Sequence, residues 1–159
     1  MRALVVSDSH GDRHSLRALV DAAIARGTKL DAVFHCGDGV RDLAVVENLL
    51  RAHNPEIRLL AVCGNCDFSA DVPYRRVETL GGCRIFQTHG HHYAVKSSLT
   101  LLDEAAHAED CGIALFGHTH EPCMEMRRAL LLNPGSASDG RMLLLDVNEG
   151  RPRVEMVRL

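Results

Sequence analysis

Five short runs of mostly apolar residues recur along the chain, and a cluster of polar residues follows each run. The runs cover residues 3–6, 32–34, 59–62, 84–87 and 113–116. Their length and apolar bias predict buried β-strands. Ligands of an open α/β sheet gather at the carboxyl ends of its strands, so we expect the five clusters to converge on one site. The clusters lie at residues 8–10, 37–38, 64–67, 89–91 and 117–120.

Apolar residues at helical spacing predict helices over residues 12–26, 40–53 and 97–109, the third with a stripe of Leu101, Leu102 and Ala105. The first two helices alternate with strands, which is the pattern of a parallel sheet. From residue 75 onward strands dominate: 75–80 and 83–88 form a hairpin at Gly81-Gly82, and others are expected at 122–126, 129–132, 141–147 and 153–157. This order predicts a single α/β domain, residues 1–159, with two sheets packed face to face and helices outside.

Composition narrows the functional class. The 159 residues are 46% apolar and 25% charged, as in a globular protein, and no apolar stretch reaches the roughly 18–20 residues of a membrane span. No signal peptide precedes the first strand, so a cytoplasmic location is expected. A net charge of −3 and the lack of a long Lys or Arg run disfavour a nucleic-acid groove. The six cysteines are expected to be free thiols, and redox chemistry at Cys63 and Cys66 is the weaker interpretation.

The polar clusters offer carboxylates, imidazoles and an amide, which suit Mn, Fe, Co, Ni or Zn better than Ca or an iron–sulfur cluster. Asp38 is the candidate bridge between two ions, because glycines on both sides let the backbone approach closely. The pairs Asp8/His10 and His118/His120 have the spacing to turn both side chains to one side, and Asn65 adds an amide oxygen. In the fourth cluster His89 and His91 both remain candidates. The sequence therefore predicts a metallohydrolase.

The motifs, in their order along the chain, resemble those of the calcineurin-like metallophosphoesterases, most closely the small, single-domain YfcE-like phosphodiesterase branch. They are Asp8-x-His10, Gly37-Asp38, Gly64-Asn65-Cys66-Asp67, Thr88-His89-Gly90-His91, Gly117-His118-Thr119-His120 and Asn133-Pro134-Gly135-Ser136.

This resemblance implies a four-layer α/β/β/α sandwich of two mixed β-sheets, with a dinuclear metal site. It assigns Asp8, His10, Asp38 and His120 to the first metal, and Asp38, Asn65, His89 and His118 to the second. It also implies that His89 rather than His91 is the ligand of the fourth cluster.

The expected activity is hydrolysis of a small phosphoester, most of all a phosphodiester, by in-line attack of a hydroxide that bridges two divalent ions. Manganese is the first choice of metal, with Ni, Co, Fe, Zn and Mg as alternatives. Asp38, Asn65 and His91 are the candidate catalytic residues. Cys66 stands where many relatives carry His and is a poor acid at neutral pH, so His91 and His92 are candidate substitutes.

Two other functions remain open. One is a non-catalytic scaffold, as in the retromer subunit of this fold, although all seven ligand positions are filled here. The other is a nuclease, which the missing basic groove disfavours. A homo-oligomer is also open. Asp67 is expected to cap a turn or orient Asn65, and residues 133–136 either position a loop at the cleft or form a plain turn.

Overall fold

Ten β-strands form the centre of the fold, and the computed structural model describes residues 1–68 and 71–159. Within these residues the first three strands alternate with helices, and hairpins follow in the second half. The strands are β1 (Arg2–Val6), β2 (Ala32–His35), β3 (Arg58–Ala61), β4 (Arg75–Leu80), β5 (Cys83–Thr88), β6 (Ile113–Leu115), β7 (Cys123–Met126), β8 (Leu130–Asn133), β9 (Arg141–Asn148) and β10 (Arg151–Arg158).

The strands form two mixed sheets of five. The first has the order β10-β9-β1-β2-β3, and the second has the order β4-β5-β6-β8-β7. In the first sheet β1, β2 and β3 are parallel, while β9 runs antiparallel to β1 and β10 antiparallel to β9. In the second sheet β5, β6 and β8 are parallel, and the edge strands β4 and β7 are antiparallel to their neighbours. The hairpin between β4 and β5 turns at Gly81 and Gly82, as predicted.

In the described part of the chain, three α-helices cover the outer faces of the two sheets: α1 (Arg13–Ala25), α2 (Leu43–His53) and α3 (Thr100–Ala108). A central core of residues such as Phe34 and Leu115 lies between the sheets. A second core joins α1 and α2 to the first sheet, and a third joins α3 to the second sheet. The predicted four-layer α/β/β/α sandwich is therefore confirmed, because each sheet buries one face on the other and one face under helices.

The third helix differs most from its sequence-based prediction. It begins at Thr100 rather than at 97, because Ser98 Oγ accepts a hydrogen bond from Thr100 N at 3.2 Å and ends the preceding turn. Of the predicted stripe, Leu102 is buried and Ala105 packs half-buried against the core, but Leu101 is 52% exposed, so the prediction was wrong for Leu101. The second helix is also shorter than predicted, since residues 40–42 form a 3-10 turn before α2 begins.

The structure also shows the state of the cysteines and the lengths of the helices. Cys36, Cys66, Cys83, Cys111 and Cys123 are free thiols, as predicted for these five. Across the two described stretches of chain, every helix falls short of the length and apolar character that a membrane crossing requires.

Backbone hydrogen bonds join the loops that follow the central strands. Asp8 N donates to Gly37 O at 2.9 Å, and His10 N donates to Asp38 O at 3.0 Å. In the second sheet, the loops after β5 and β6 are joined in the same way, since Gly117 N donates to His89 O at 3.0 Å. The parallel strands thus deliver their loops to one end of the sandwich, where the predicted site lies.

Candidate metal centre

The loops after β1 and β6 bring together the first group of candidate metal-ligand side chains. Donor atoms of Asp8, His10 and His120 all lie within 4.8 Å of one another. His120 Nε2 lies 3.2 Å from both Asp8 Oδ1 and His10 Nε2. Asp8 and His120 are more than a hundred residues apart in sequence, so the packing of the two sheets builds this group.

A second group lies beside the first. Donor atoms of Asp38, His89 and His118 lie within 4.8 Å of one another, and Asn65 Oδ1 is 3.1 Å from His89 Nε2. Asp38 Oδ2 is 3.4 Å from His89 Nε2 and 3.9 Å from His10 Nε2, so this carboxylate lies between the two groups. All seven side chains predicted as ligands are therefore brought together in the structure.

Five of these seven residues have a left-handed backbone: Asp8 (φ 55°), His10 (φ 48°), Asp38 (φ 56°), His118 (φ 68°) and His120 (φ 61°). Such angles are uncommon for residues other than glycine and are held only where surrounding contacts enforce them. Here the enforcing contacts include the backbone hydrogen bonds between the loops. The backbone is shaped to point these side chains inward.

Two glycines permit the close approach of backbone to the carboxylates. A Cβ at Gly64 would overlap the Asp38 carboxylate. A Cβ at Gly117 would overlap the Ser7 hydroxyl and would also lie 2.7 Å from Asp8 Oδ2. Any side chain at either position would push a carboxylate out of place. Both positions are therefore glycine for a steric reason, which the spacing of the sequence motifs alone does not reveal.

The Asp8 carboxylate has the chemistry of a cation ligand. Asp8 is fully buried, and burial raises the pKa of its carboxyl. Its Oδ2 accepts a hydrogen bond from His118 N at 3.1 Å, but Oδ1 has no hydrogen-bond partner despite its 3.2 Å distance from His120 Nε2. An orphaned carboxylate oxygen facing two imidazole nitrogens is costly unless a positive charge sits between them. The first group therefore fits a divalent cation.

The hydrogen bonding of His89 supports the same conclusion for the second group. His89 Nδ1 lies 2.7 Å from Cys36 O, and because a carbonyl can only accept, Nδ1 carries the proton in that bond. In the neutral ring Nε2 then turns its lone pair toward Asn65 Oδ1 and Asp38 Oδ2, which are themselves acceptors. A backbone carbonyl on the outer nitrogen is the usual way to orient a metal-binding imidazole.

The charges around the site alter the pKa values of its groups. Burial alone would raise the pKa of Asp38, but a hydrogen bond from His89, when its ring is protonated on both nitrogens, and one from Cys66 N at 2.7 Å hold it well below its usual range. Burial and the neighbouring imidazole of His89 lower the pKa of His118 to about 4. At neutral pH the site therefore combines an ionised Asp38 with a neutral His118, the protonation states that metal binding needs.

The carboxylate of Asp67 holds the Asp38 loop through backbone hydrogen bonds. Its Oδ2 accepts hydrogen bonds from Asp38 N at 2.7 Å and Gly64 N at 2.9 Å, and its Oδ1 accepts from Gly39 N at 2.9 Å and Val40 N at 3.1 Å. Four backbone donors lower the pKa of this carboxyl although burial opposes them. Sequence reasoning assigned Asp67 to a turn cap or to Asn65, and the structure shows that it binds the loop of Asp38.

A buried chain of polar side chains supports the Asp8 loop and was missed in the sequence. Gly37 N donates to His35 Nδ1 at 3.2 Å, so His35 Nε2 carries the proton toward Ser9 Oγ at 3.3 Å. Ser9 Oγ donates to Asp42 Oδ2 at 2.7 Å, which also accepts from Gly11 N at 2.9 Å. These side chains are 26–33 residues apart, and nothing in their local sequence signals the pairing.

Residues 133–136 lie at the site and are more than a plain turn. Asn133 Nδ2 donates to Gly117 O at 2.9 Å, and Ser136 Oγ donates to Asp8 O at 2.8 Å. This segment therefore binds the loops of Asp8 and His118 to each other. That placement agrees with the first of the two alternatives left by the sequence.

The remaining candidates border the site. Cys66 is exposed, and its Sγ forms a third group of donor atoms with His10 and Asp38, all within 4.8 Å. Burial and the nearby Asp38 raise the pKa of its thiol. His91 packs its ring 5.4 Å from that of His89 and 4.0 Å from that of His92. Burial and the neighbouring imidazoles of His92 and His89 lower the pKa of His91.

Comparison with known proteins identifies the family of this chain. A model of the calcineurin-like phosphoesterase superfamily domain matches residues 1–150. The chain is similar to a conserved uncharacterized protein, a predicted phosphoesterase, from Streptococcus pneumoniae TIGR4: 32% identity, TM-score 0.78, covering 99% of this chain and 88% of the other. No curated protein matches the sequence.

Two more distant structures share the fold. One is an archaeal phosphodiesterase, with 22% identity, a TM-score of 0.74 and coverage of 99% and 100%. The other is Entamoeba histolytica Vps29 complexed with Zn²⁺, with 21% identity, a TM-score of 0.74 and coverage of 99% of each chain. Since the family model spans nearly the whole sequence and the bacterial relative is 32% identical over 99% of it, this chain belongs to the calcineurin-like phosphoesterase superfamily.

Proposed function

We propose that this protein is a metal-dependent phosphoesterase, and within that class a phosphodiesterase of the small, YfcE-like branch acting on a small phosphoester. The observation that carries the proposal is the pair of adjacent ligand groups, Asp8/His10/His120 and Asp38/His89/His118, with the Asp38 carboxylate between them. Two such groups side by side suit a pair of ions, as dinuclear hydrolases require.

In this proposal the first ion is held by Asp8, His10, Asp38 and His120. The second is held by Asp38, Asn65, His89 and His118. When bound, divalent ions supply positive charge to the phosphoryl oxygens and lower the pKa of a bound water. The oxygen and nitrogen donors suit manganese first, with Ni, Co, Fe, Zn and Mg as alternatives.

The protein's own groups orient and tune this centre. Cys36 O fixes the ring of His89 through Nδ1, and Cys66 N fixes the carboxylate of Asp38 through Oδ1. Asn65 Nδ2 donates to Cys66 Sγ at 3.3 Å, which leaves the amide oxygen turned toward His89 Nε2. Ligands held in this way need little rearrangement when substrate binds.

No strong acid stands ready for the leaving group among these side chains. The pKa of the Cys66 thiol is raised, and the pKa of His91 is lowered, so the first holds its proton too tightly and the second has none to give at neutral pH. His91 beside His89 is then better suited to accept a proton than to donate one. We therefore expect a preference for phosphoesters whose leaving group departs with little protonation.

The test begins with protein stripped by a chelator and reloaded with Mn, Ni, Co, Zn or Mg. Hydrolysis of bis(p-nitrophenyl) phosphate and of p-nitrophenyl phosphate is then measured, with Asp38→Asn as the control variant. We expect metal-dependent cleavage, faster for the diester, and a loss of at least about a hundredfold in the variant. No turnover in protein shown to bind two ions would instead favour the scaffold function.

A further inference from the structure

A cleft of about 280 Å³ adjoins the candidate metal centre. Its lining includes His10, Asp38 and Cys66 from the centre, together with Arg41 and Phe68. The last two take no part in holding metal in the function proposed above. What they do in the cleft is a separate question.

Phe68 is the exposed phenylalanine of this protein. The chain has four phenylalanines, and Phe34, Phe86 and Phe116 are at most 1% exposed, whereas Phe68 is 84% exposed. A ring in this position contributes nothing to the core and costs hydrophobic free energy in water. Its place on the cleft wall, one residue after the anchored Asp67, gives it a surface on which a flat apolar group could pack.

Arg41 is linked to Phe68 and keeps its charge available. Its Nη2 donates to Phe68 O at 3.1 Å, which joins the loop after β2 to the loop after β3. In residues 1–68 and 71–159 no carboxylate pairs with its guanidinium. The guanidinium therefore retains donors for an anion.

The carboxylates of the cleft do not compete for Arg41, because each has other partners. Asp67 accepts from four backbone N–H groups. Asp42 accepts from Ser9 and Gly11, and Arg13 Nε lies 3.4 Å from its Oδ1. An incoming anion therefore meets the guanidinium of Arg41 in this cleft, beside the exposed ring of Phe68.

We propose that Arg41 and Phe68 select the substrate: the Phe68 ring packs against a planar aromatic ring on the ester group, while Arg41 binds a phosphoryl oxygen. This inference rests on the proposed phosphoesterase function and adds a substrate class, phosphoesters with an aromatic ester group. A methyl or short alkyl ester would leave Phe68 in water and lose that contact. Ring contacts of this kind correspond to about a tenfold gain in affinity.

Tyr74 provides the competing aromatic surface and hence the matched control. It is 54% exposed, and its ring lies 5.0 Å from the ring of His92 and 6.0 Å from that of His91. It does not line the cleft of Arg41 and Phe68. Replacing it should leave a ring preference that depends on Phe68 unchanged.

The experiment is calorimetric titration of the manganese-loaded protein with phenylphosphonate and with methylphosphonate, neither of which can be hydrolysed at its P–C bond by this chemistry. We expect the wild type to bind the phenyl compound about tenfold more tightly. Phe68→Ala should bring the two dissociation constants to within about twofold, whereas Tyr74→Ala should keep the tenfold ratio. Arg41→Ala should weaken both compounds alike and leave their ratio unchanged.

The same preparations are assayed for diester hydrolysis, so that two failures can be told apart. If the protein turns over the diester but Phe68→Ala keeps the phenyl preference, this inference alone is overturned. The same holds if the protein turns over the diester and Tyr74→Ala loses the phenyl preference. Turnover without any phenyl preference in the wild type would do the same. Absence of both turnover and phosphonate binding in manganese-loaded protein would overturn the inference and the proposed function together.

Discussion

The carboxylate of Asp67 provides a sharp test of how the Asp38 loop is held. In Asp67→Asn one of the two carboxylate oxygens becomes an NH₂ group, which cannot accept a hydrogen bond. Each oxygen accepts from two backbone N–H groups, so whichever is replaced, two donors lose their partner. The amide hydrogens would also face these N–H groups directly.

The size of the effect follows from the bonds that are lost. A hydrogen bond to a charged group contributes about 1.5–3 kcal/mol, and an unsatisfied buried donor costs about 1–3 kcal/mol. With partial recovery by water, Asp67→Asn should lower the free energy of unfolding by about 3–5 kcal/mol. All but one of the four donors belong to the Asp38 loop, so either orientation of the amide releases at least one bond that holds this loop, and the affinity for manganese should fall as well.

Urea unfolding of the metal-free protein at pH 7 measures this change, with the exposed Asp71→Asn as the control. The contacts depress the pKa of folded Asp67, so their stabilisation is present above the unfolded pKa of about 4 and is lost as the pH falls through the lower folded value. The gap between wild type and variant should therefore narrow below about pH 4. A loss no larger than that of Asp71→Asn would refute the reasoning.

Three further predictions test other parts of the structure. Leu102→Ala should lower the free energy of unfolding by about 2–5 kcal/mol because it leaves a cavity under α3, while the exposed Leu101→Ala should change it by less than about 1 kcal/mol in the same urea titration. Burial lowers the pKa of His35 to about 4, so the folded protein keeps this ring neutral. The free energy of unfolding should therefore fall by up to about 3 kcal/mol as the pH is lowered from about 6.5 to 4. His35→Gln should make the free energy of unfolding depend less on pH in this range, and an unchanged dependence would contradict the buried neutral ring. Cys66→His should raise the hydrolysis rate of a diester with an alkyl leaving group, relative to one with a nitrophenyl leaving group, by roughly tenfold, because an imidazole can protonate the leaving group. If the ratio of the two rates stays the same, the wild-type site does not lack a general acid.

Apolar periodicity was sufficient to predict the layers of the fold. Strands such as β1 and β2 are short, continuous apolar runs that alternate with helices, as expected for parallel strands buried on both faces. The start of α3 could not be predicted in the same way, because the side chain of Ser98 competes for a backbone N–H that helix propensity would assign to the helix. Leu101 was placed inward because a short helix offers too few turns to fix its phase.

The candidate ligands could be predicted because each stands directly after a strand, where topology decides the position. The supporting residues could not. Asp67 acts on a loop 27–29 residues earlier, and His35 reaches Ser9 through a chain of hydrogen bonds between separate loops. Such pairs depend on how loops dock in three dimensions, and periodicity carries no information about docking.

The left-handed backbone of five candidate ligands sets the stability of the fold against the placement of these side chains. At about 1 kcal/mol each, five such residues together raise the energy of the fold by about 5 kcal/mol, which is comparable with the whole net stability of a small domain. Glycine would relieve that strain at every one of the five positions, yet a carboxylate or an imidazole stands there instead. A protein improved only for heat resistance would drift toward glycine at these places and lose its candidate metal centre in doing so.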